Sequence, residues 1–235
     1  MEDRFLEILK EIRYAAREKN LKDFTFYQIE KKTGISKEEL TQHVKSKAEL
    51  VEKVLDLERQ KFMNIFLVHN FEGVNAIDIL FTVSKEVANN FLLVSPAITI
   101  HLKEKYPKIY QAHFDKRLEF IFDKIQINIT KGIDQGIYRD DLSIELLARL
   151  YLSRLIDIHN PDLFPPDKFS FETLFEVMFE DLVRSIAKPE GVAYFEKKRK
   201  AVKFEVDTVK GIYSVFFSPT NYPKFWMFII FIFIL

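Results

Sequence analysis

The sequence predicts an all-α fold, with a three-helix, helix-turn-helix head at the N-terminus and a long helical body behind it. Three observations predict this. Capping boxes recur ten or eleven residues apart, at Thr25-Phe26-Tyr27-Gln28, Ser36-Lys37-Glu38-Glu39 and Ser46-Lys47-Ala48-Glu49. In such a box a hydroxyl accepts from the third helical N–H, and the Gln or Glu reaches back to the cap's own N–H. Only six glycines and eight prolines are scattered through 235 residues, which leaves room for long helices. Apolar residues also recur at three-and-four spacing along most of the chain, the period of one helix face.

Taken in order, Phe5, Ile8, Leu9, Ile12 and Ala16 set a first amphipathic helix over residues 3–18, which Asn20 and Asp23 interrupt. Residues 25–32 and 36–43 read as two short helices, and Ser46 opens a longer one that runs to about Phe66. Between the short helices lies Thr33-Gly34, where glycine takes a positive φ without steric cost and ends the first helix. Two short helices joined by a glycine-containing turn follow the helix-turn-helix plan, whose second helix can enter a DNA major groove. Gly73 and Asn75 mark a turn before a helix at 75–93 with Ile77, Leu80, Phe81, Val87, Phe91 and Leu92 on its apolar positions. Pro96 suits the first turn of another helix, which Pro107 ends or kinks. Residues 107–132 are helical and charge-studded and stop at Gly132-Ile133-Asp134-Gln135-Gly136; Asp141 or Ser143 then caps a helix at 143–158. Residues 159–168 hold three prolines and form a loop.

In the helix at 170–187, Phe171, Leu174, Phe175, Met178, Phe179, Leu182, Val183 and Ile186 form the apolar stripe, and Val177 widens it. A helix bordering solvent needs a stripe of somewhat over 100°. This one is broad enough to bury against its own domain and against a second surface. Self-association through residues 143–158 and 170–187 is the economical reading, since two-fold dimers are the commonest oligomers. The alternative is the central helix of a monomeric bundle.

Composition narrows the function. Lys plus Arg equals Asp plus Glu at 35 each, so net charge points to no polyanionic partner. Charge is nevertheless focused: residues 31–47 hold Lys31, Lys32, Lys37, Lys45 and Lys47 against Glu38 and Glu39, a surplus of three. The chain has no cysteine, which excludes disulfides, thiol catalysis and thiolate metal sites and suits a reducing cytosol. The N-terminus lacks a signal-peptide apolar core, so a cytoplasmic location is expected. No HExxH, GxSxG, phosphate-cradling glycine loop or metal-spaced His/carboxylate cluster is present, so neither an enzyme nor a metal or other cofactor is expected. Asp140-Asp141 precedes a helix, where capping is the usual reason for a carboxylate. The Asn128-Ile129-Thr130 sequon falls inside a predicted helix.

The run TFYQIEKKTGISKEELTQHVKSKAELVEKVL resembles the DNA-binding segment of the tetracycline-repressor (TetR) family. Matching positions are Thr25 at the helix start, Ile29 in the head core, Gly34-Ile35-Ser36 at the turn, Leu40 and His43 in the recognition helix, and Lys45-Ser46-Lys47 with Glu49-Leu50 at the next helix. The resemblance is specific over residues 5–55 and looser over 73–198; GIDQGIYRDDLSIELLARL looks like the family's junction into its first dimerisation helix. Departures are Glu30, Glu38-Glu39, Thr41 in place of a phosphate-contacting Tyr, and Val44 in place of an aromatic. The resemblance implies a DNA-binding domain over 1–48, a ligand-binding and dimerisation domain over 49–200, and a repressor that a small ligand releases from a double-stranded operator. It places Thr25 at the DNA surface, Ser36, Lys45 and Lys47 on phosphates, and Lys37, Thr41, Gln42 and His43 in the groove.

If the body follows the family, an effector cavity lies among the helices of residues 46–135. Phe62, Phe66, Phe81, Phe91, Tyr106, Tyr110 and Phe114 would line it, with His101, His113 or Asn89 as polar anchors. Each of these also fits an ordinary core or surface position. A rival reading is a helical interaction or membrane-associated scaffold with a degenerate head, on the evidence of Glu30, Glu38 and Thr41. Residues 201–235 differ in composition: strand-like stretches at 203–209 and 212–217 lead to eleven uninterrupted apolar residues from Phe225 to Leu235. That run is short of the roughly 20 residues a membrane-spanning helix needs. A frameshift or read-through product, a membrane-surface anchor aided by the basic 197–203 stretch, and packing against the body or a partner all fit the tail.

Overall fold

The fold follows from a computed structural model of the 235-residue chain. The structure describes the backbone of residues 2–214 apart from 19, 20, 22, 92–95, 159, 161, 166 and 170. Side chains are described for 3–16, 21, 23–86, 101–158, 160, 162–165, 167–169 and 173–201. The described residues form α1 (Glu2–Glu18), α2 (Phe26–Thr33), α3 (Lys37–Thr41), α4 (Lys47–Val68), α5 (Ala76–Phe91), α6 (Pro96–Lys105), α7 (Pro107–Asp134), α8 (Ile144–Asp157), α9 (Phe171–Ile186) and α10 (Pro189–Ser214). They hold no strand, and one isolated β-bridge pairs Tyr138 with Ala187. The chain is all-α.

The helices gather into two compact units. Of the described residues, the first comprises those of 1–70 and 89–120; the second comprises those of 71–88 and 121–214. In the first, α1 packs on α2 and α4, and α2 on α3. Its core joins Ile8 and Ile12 of α1 to Leu21, Phe24, Ile29, Ile35, Leu40 and Val44, and then to Leu50, Val51, Val54 and Leu55 of α4. Each of these is buried as the three-and-four pattern requires. Arg13 of α1 pairs with Glu58 of α4, both largely enclosed. Farther along, Phe62, Phe66 and Phe120 meet edge-to-face at centroid distances of 5.4–6.2 Å. Such aromatic triads add roughly 0.5–1.5 kcal/mol per pair beyond burial.

The second unit is closed by polar clasps on apolar packing. Gln135 Oε1 accepts from the Ala76 N–H (2.9 Å) and its amide donates to the Val74 carbonyl (2.8 Å), holding the start of α5. Buried Asn128 donates to the Ala76 carbonyl at 2.8 Å and accepts from the Tyr138 hydroxyl at 3.4 Å. The sequon asparagine is thus a core residue. The Arg139 N–H donates to the Ile186 carbonyl (2.8 Å), and the Lys188 N–H to the Ile137 carbonyl (2.9 Å), around the Tyr138–Ala187 bridge. Phe81, Phe179 and Phe195 form an aromatic cluster with centroids 5.4–5.8 Å apart.

Three expectations change and one alternative is settled. The recognition helix expected at 36–43 is α3, Lys37–Thr41; the chain continues through 43 by tighter i→i−3 bonds, from Gln42 N–H to Glu39 O and His43 N–H to Leu40 O. Ser143, rather than Asp141, caps α8, because Asp141 is held by Arg139 at 2.7 Å. The strand-like stretch at 203–209 is helical, as α10 runs to Ser214. Its β-branched valines cost a helix only a few tenths of a kcal/mol each, and no proline intervenes to stop it. Gly132 belongs to α7, and Gly136, at φ 73°, makes the stop. Residues 215–235, and with them the apolar end of the tail, lie outside the described residues; no described helix is long and apolar enough to cross a membrane.

Gly132 is required for a different reason. A Cβ there would stand 2.0 Å from Tyr138 Cδ2 and 2.3 Å from Cε2, inside a fully buried ring that is also hydrogen-bonded. Gly132→Ala is expected to destabilise the protein by about 1–3 kcal/mol, the usual cost of overpacking. Thermal unfolding checks this, and an unchanged Tm would contradict the packing.

Candidate nucleic-acid interface

The head is assembled by local chemistry first. Thr25 Oγ1 accepts from the Gln28 N–H at 3.3 Å, Ser36 Oγ from Glu39 at 3.1 Å and Ser46 Oγ from Glu49 at 3.1 Å, so the three hydroxyl caps form where expected. The reciprocal arms differ. Glu49 reaches past the cap to the Lys45 N–H at 2.7 Å, and Glu39 turns to the Arg4 guanidinium at 2.7 and 2.9 Å. Between α2 and α3, Gly34 adopts φ 80°, ψ 0° and its N–H donates to the Glu30 carbonyl at 2.8 Å. Thr33 ties the same corner from both sides, donating to the Ile29 carbonyl and accepting from the Ile35 N–H. Ile35 and Leu40 then drop into the core and fix which face of α3 points outward.

That outward face carries most of the residues assigned to DNA. Lys37 and Thr41, one helical turn apart, are exposed, as are Gln42, Lys45 and Lys47. The Thr41 hydroxyl donates to the Glu38 carbonyl at 3.0 Å. Thr25 and Ser36 are half-buried with their hydroxyls engaged as caps. His43 is half-buried and its ring stacks on Phe5 of α1, centroids 4.8 Å apart and 12° from parallel. His43 thus contributes to the packing of the head. The opposite flank is acidic: Arg4 sits among Glu39, Glu7 and Glu11, and the Glu39 hydrogen bond, opposed by slight desolvation, raises its pKa further above an already high value. Arg4 escaped the sequence reading, because nothing in a linear pattern couples residues 35 positions apart.

The residues suggested for an effector site divide. Phe62 and Phe66 on α4, His101 on α6, and Tyr110, His113 and Phe114 on α7 all belong to the first unit. Phe81 belongs to the second, against Phe179 and Phe195, while the side chains of Phe91 and Asn89 lie outside the described residues. Tyr110 stacks with Phe114 at 6.4 Å, and burial pushes its hydroxyl up to about 12. His101 faces Asp23 at 3.6 Å, His113 is buried, and Tyr106 is half-buried with its pKa raised by desolvation. Beside Phe62 and Tyr110 stands a residue the sequence did not single out. Arg117 is buried, its guanidinium 5.3 Å from the Phe62 ring centroid, and its Nε and Nη2 have no hydrogen-bond partner. Burial presses it down to about 10, partly offset by Glu58 and Tyr110, so it remains charged at neutral pH. Among the described residues no three His, Asp or Glu side chains converge as a metal site requires.

No protein-family model matches the chain, and no curated protein matches it. Among solved structures, the ketosteroid transcriptional regulator KstR2 of Mycobacterium tuberculosis is similar at 17% identity and a TM-score of 0.41, over 79% of this chain and 95% of that one.

The turn geometry has a direct check. A Cβ on Gly34 would meet nothing within 4 Å, so Gly34→Ala tests the positive φ alone. The variant is expected to lose about 1–2 kcal/mol of stability, the cost of the left-handed conformation for an L-residue. A loss no larger than that of a surface substitution, measured by urea denaturation, would contradict a left-handed turn.

Proposed function

We propose that the protein is a sequence-specific DNA-binding transcriptional regulator of the tetracycline-repressor type, cytoplasmic, and a repressor released from its operator by a small molecule. The observation that carries this reading is the α2–Gly34–α3 corner, which leaves Lys37, Thr41 and Gln42 outward and adjacent to Lys45 and Lys47. Residues 1–48 would read DNA, with 49–200 as the effector and dimerisation part. Lys37 reaches a guanine edge and Gln42 pairs with adenine, each giving about 1–3 kcal/mol of discrimination. Thr41 offers its methyl to the groove and His43 borders it. Ser36, Lys45 and Lys47 face phosphates, whose contacts supply affinity and register rather than sequence. Thr25 lies at the DNA surface, at the start of α2. Exposed Glu38 opposes phosphate, while Glu39 is neutralised by Arg4.

Exposed apolar side chains of the second unit support a dimer. Leu146 (56% exposed), Leu150 (49%) and Ile156 are exposed on α8 and Val177 (62%) on α9, and a shallow groove of about 280 Å³ lies along α8 at Arg149, Leu152, Ser153, Ile156 and Asp157. Closing two copies over α8 and α9 would cover these side chains. A two-fold dimer would present two heads to half-sites about one DNA turn apart or a multiple of it. An effector shifts such a protein off DNA only by binding the non-DNA form more tightly. The rival scaffold reading draws on Glu38 and on the carboxylates around Arg4.

Selection from a randomised duplex pool by the full chain is expected to converge on two inverted half-sites. Gln42→Ala is expected to relax one base per half-site, while Lys47→Ala weakens all sequences alike and lowers the salt dependence by about one phosphate contact. A pool that stays random would refute the regulator reading and favour the scaffold.

A further inference from the structure

Among the described residues, Arg13, Arg117 and Glu58 form an enclosed cluster of two positive charges and one negative. Glu58 is the carboxylate in this cluster, and Arg13 already holds it; Arg117 feels Glu58 through space but makes no hydrogen bond with Nε or Nη2. Buried charges are ordinarily paired, because desolvating an ion costs several kcal/mol. The Phe62 ring centroid lies 5.3 Å from the guanidinium carbon, which supplies attraction but no hydrogen-bonding oxygen. The two unmet donors are also specific in placement. Nε–H and Nη2–H lie along one edge of the guanidinium and point the same way, forming the fork that two oxygens of a carboxylate meet bidentately. Phe62 and Tyr110 beside it, and Phe66, Phe114 and Phe120 beyond, are aromatic and suit an apolar body.

We propose that Arg117 is the anchor of an effector site and takes the carboxylate of a small, otherwise apolar organic acid. One negative charge balances the two guanidiniums and one carboxylate of Arg13, Arg117 and Glu58, whereas a phosphoryl dianion would leave an excess. The ligand's role as effector rests on the regulator reading above; its binding does not.

The test is calorimetric titration of the full chain at pH 7.5 with decanoate and 2-naphthoate, each beside its primary amide, and with decyl phosphate. At least one acid is expected to bind about tenfold or more tightly than its amide, the worth of a charge-assisted bidentate pair. Arg117→Met is expected to abolish that preference while unfolding no earlier than the parent protein, because it replaces a buried cation whose Nε and Nη2 lack hydrogen-bond partners with an apolar chain of similar length. Equal binding of acids and amides, preference for decyl phosphate, or an Arg117→Met protein that retains the preference would overturn the proposal. So would an Arg117→Met protein that fails to fold, which would mark the guanidinium as satisfied from within. A selective acid site in a protein with no DNA preference would leave this assignment standing and remove only the repressor reading.

Discussion

A helix of five residues is marginal in water, because its first turn fixes some six dihedral angles for a single hydrogen bond. α3 exists because three contacts act on so short a segment at once. Ser36 satisfies its N-terminus, Leu40 is fully buried in the core of the first unit, and Glu39 is held by Arg4 from α1. The left-handed turn at Gly34 delivers the chain to that position, and Ile35 anchors it there. With Leu40 and Ile35 committed inward, Lys37 and Thr41 face out. The proposed reading surface is therefore a consequence of core packing, and Thr25, Ser36, Thr41 and His43 serve the fold as well, through caps, a backbone hydrogen bond and the stack on Phe5.

The second unit solves a different problem. The Ile137–Tyr138 segment runs so close to the C-terminal end of α7 and to the start of α10 that glycine is needed at Gly132 and Gly191, where a Cβ would meet the Tyr138 ring and the Ile137 carbonyl. The close approach brings Tyr138 into a fully enclosed position and lets two backbone hydrogen bonds close around it. Leu146, Leu150 and Val177 stay outside this closure.

The head was legible in the sequence because its determinants are local: a hydroxyl and an acceptor three residues on, a glycine at a turn, apolar residues at helical spacing. What the sequence hid was long-range. Glu39 was expected to complete its capping box, yet Arg4 competes for it with a charge-assisted pair stronger than a bond to a neutral N–H. Gly132 looked like a stop because a glycine near a helix end usually is one, and its true neighbour, Tyr138, approaches only once the chain has turned at Gly136. Arg117 carried no signal at all. On a charge-studded helix a single arginine resembles the solvated residues around it, and its place beside Phe62 of α4 is set by packing between residues far apart in the chain.

Central to the account is the claim that residues 37–47 recognise DNA sequence. Fluorescence anisotropy of the full chain on the DNA upstream of its own coding sequence, with excess random competitor at two salt concentrations, tests that claim most directly. Tight binding that resists the competitor and weakens steeply with salt is the predicted result. Binding no tighter than to the competitor would contradict self-directed recognition, and its persistence across selected sequences would remove the regulator altogether.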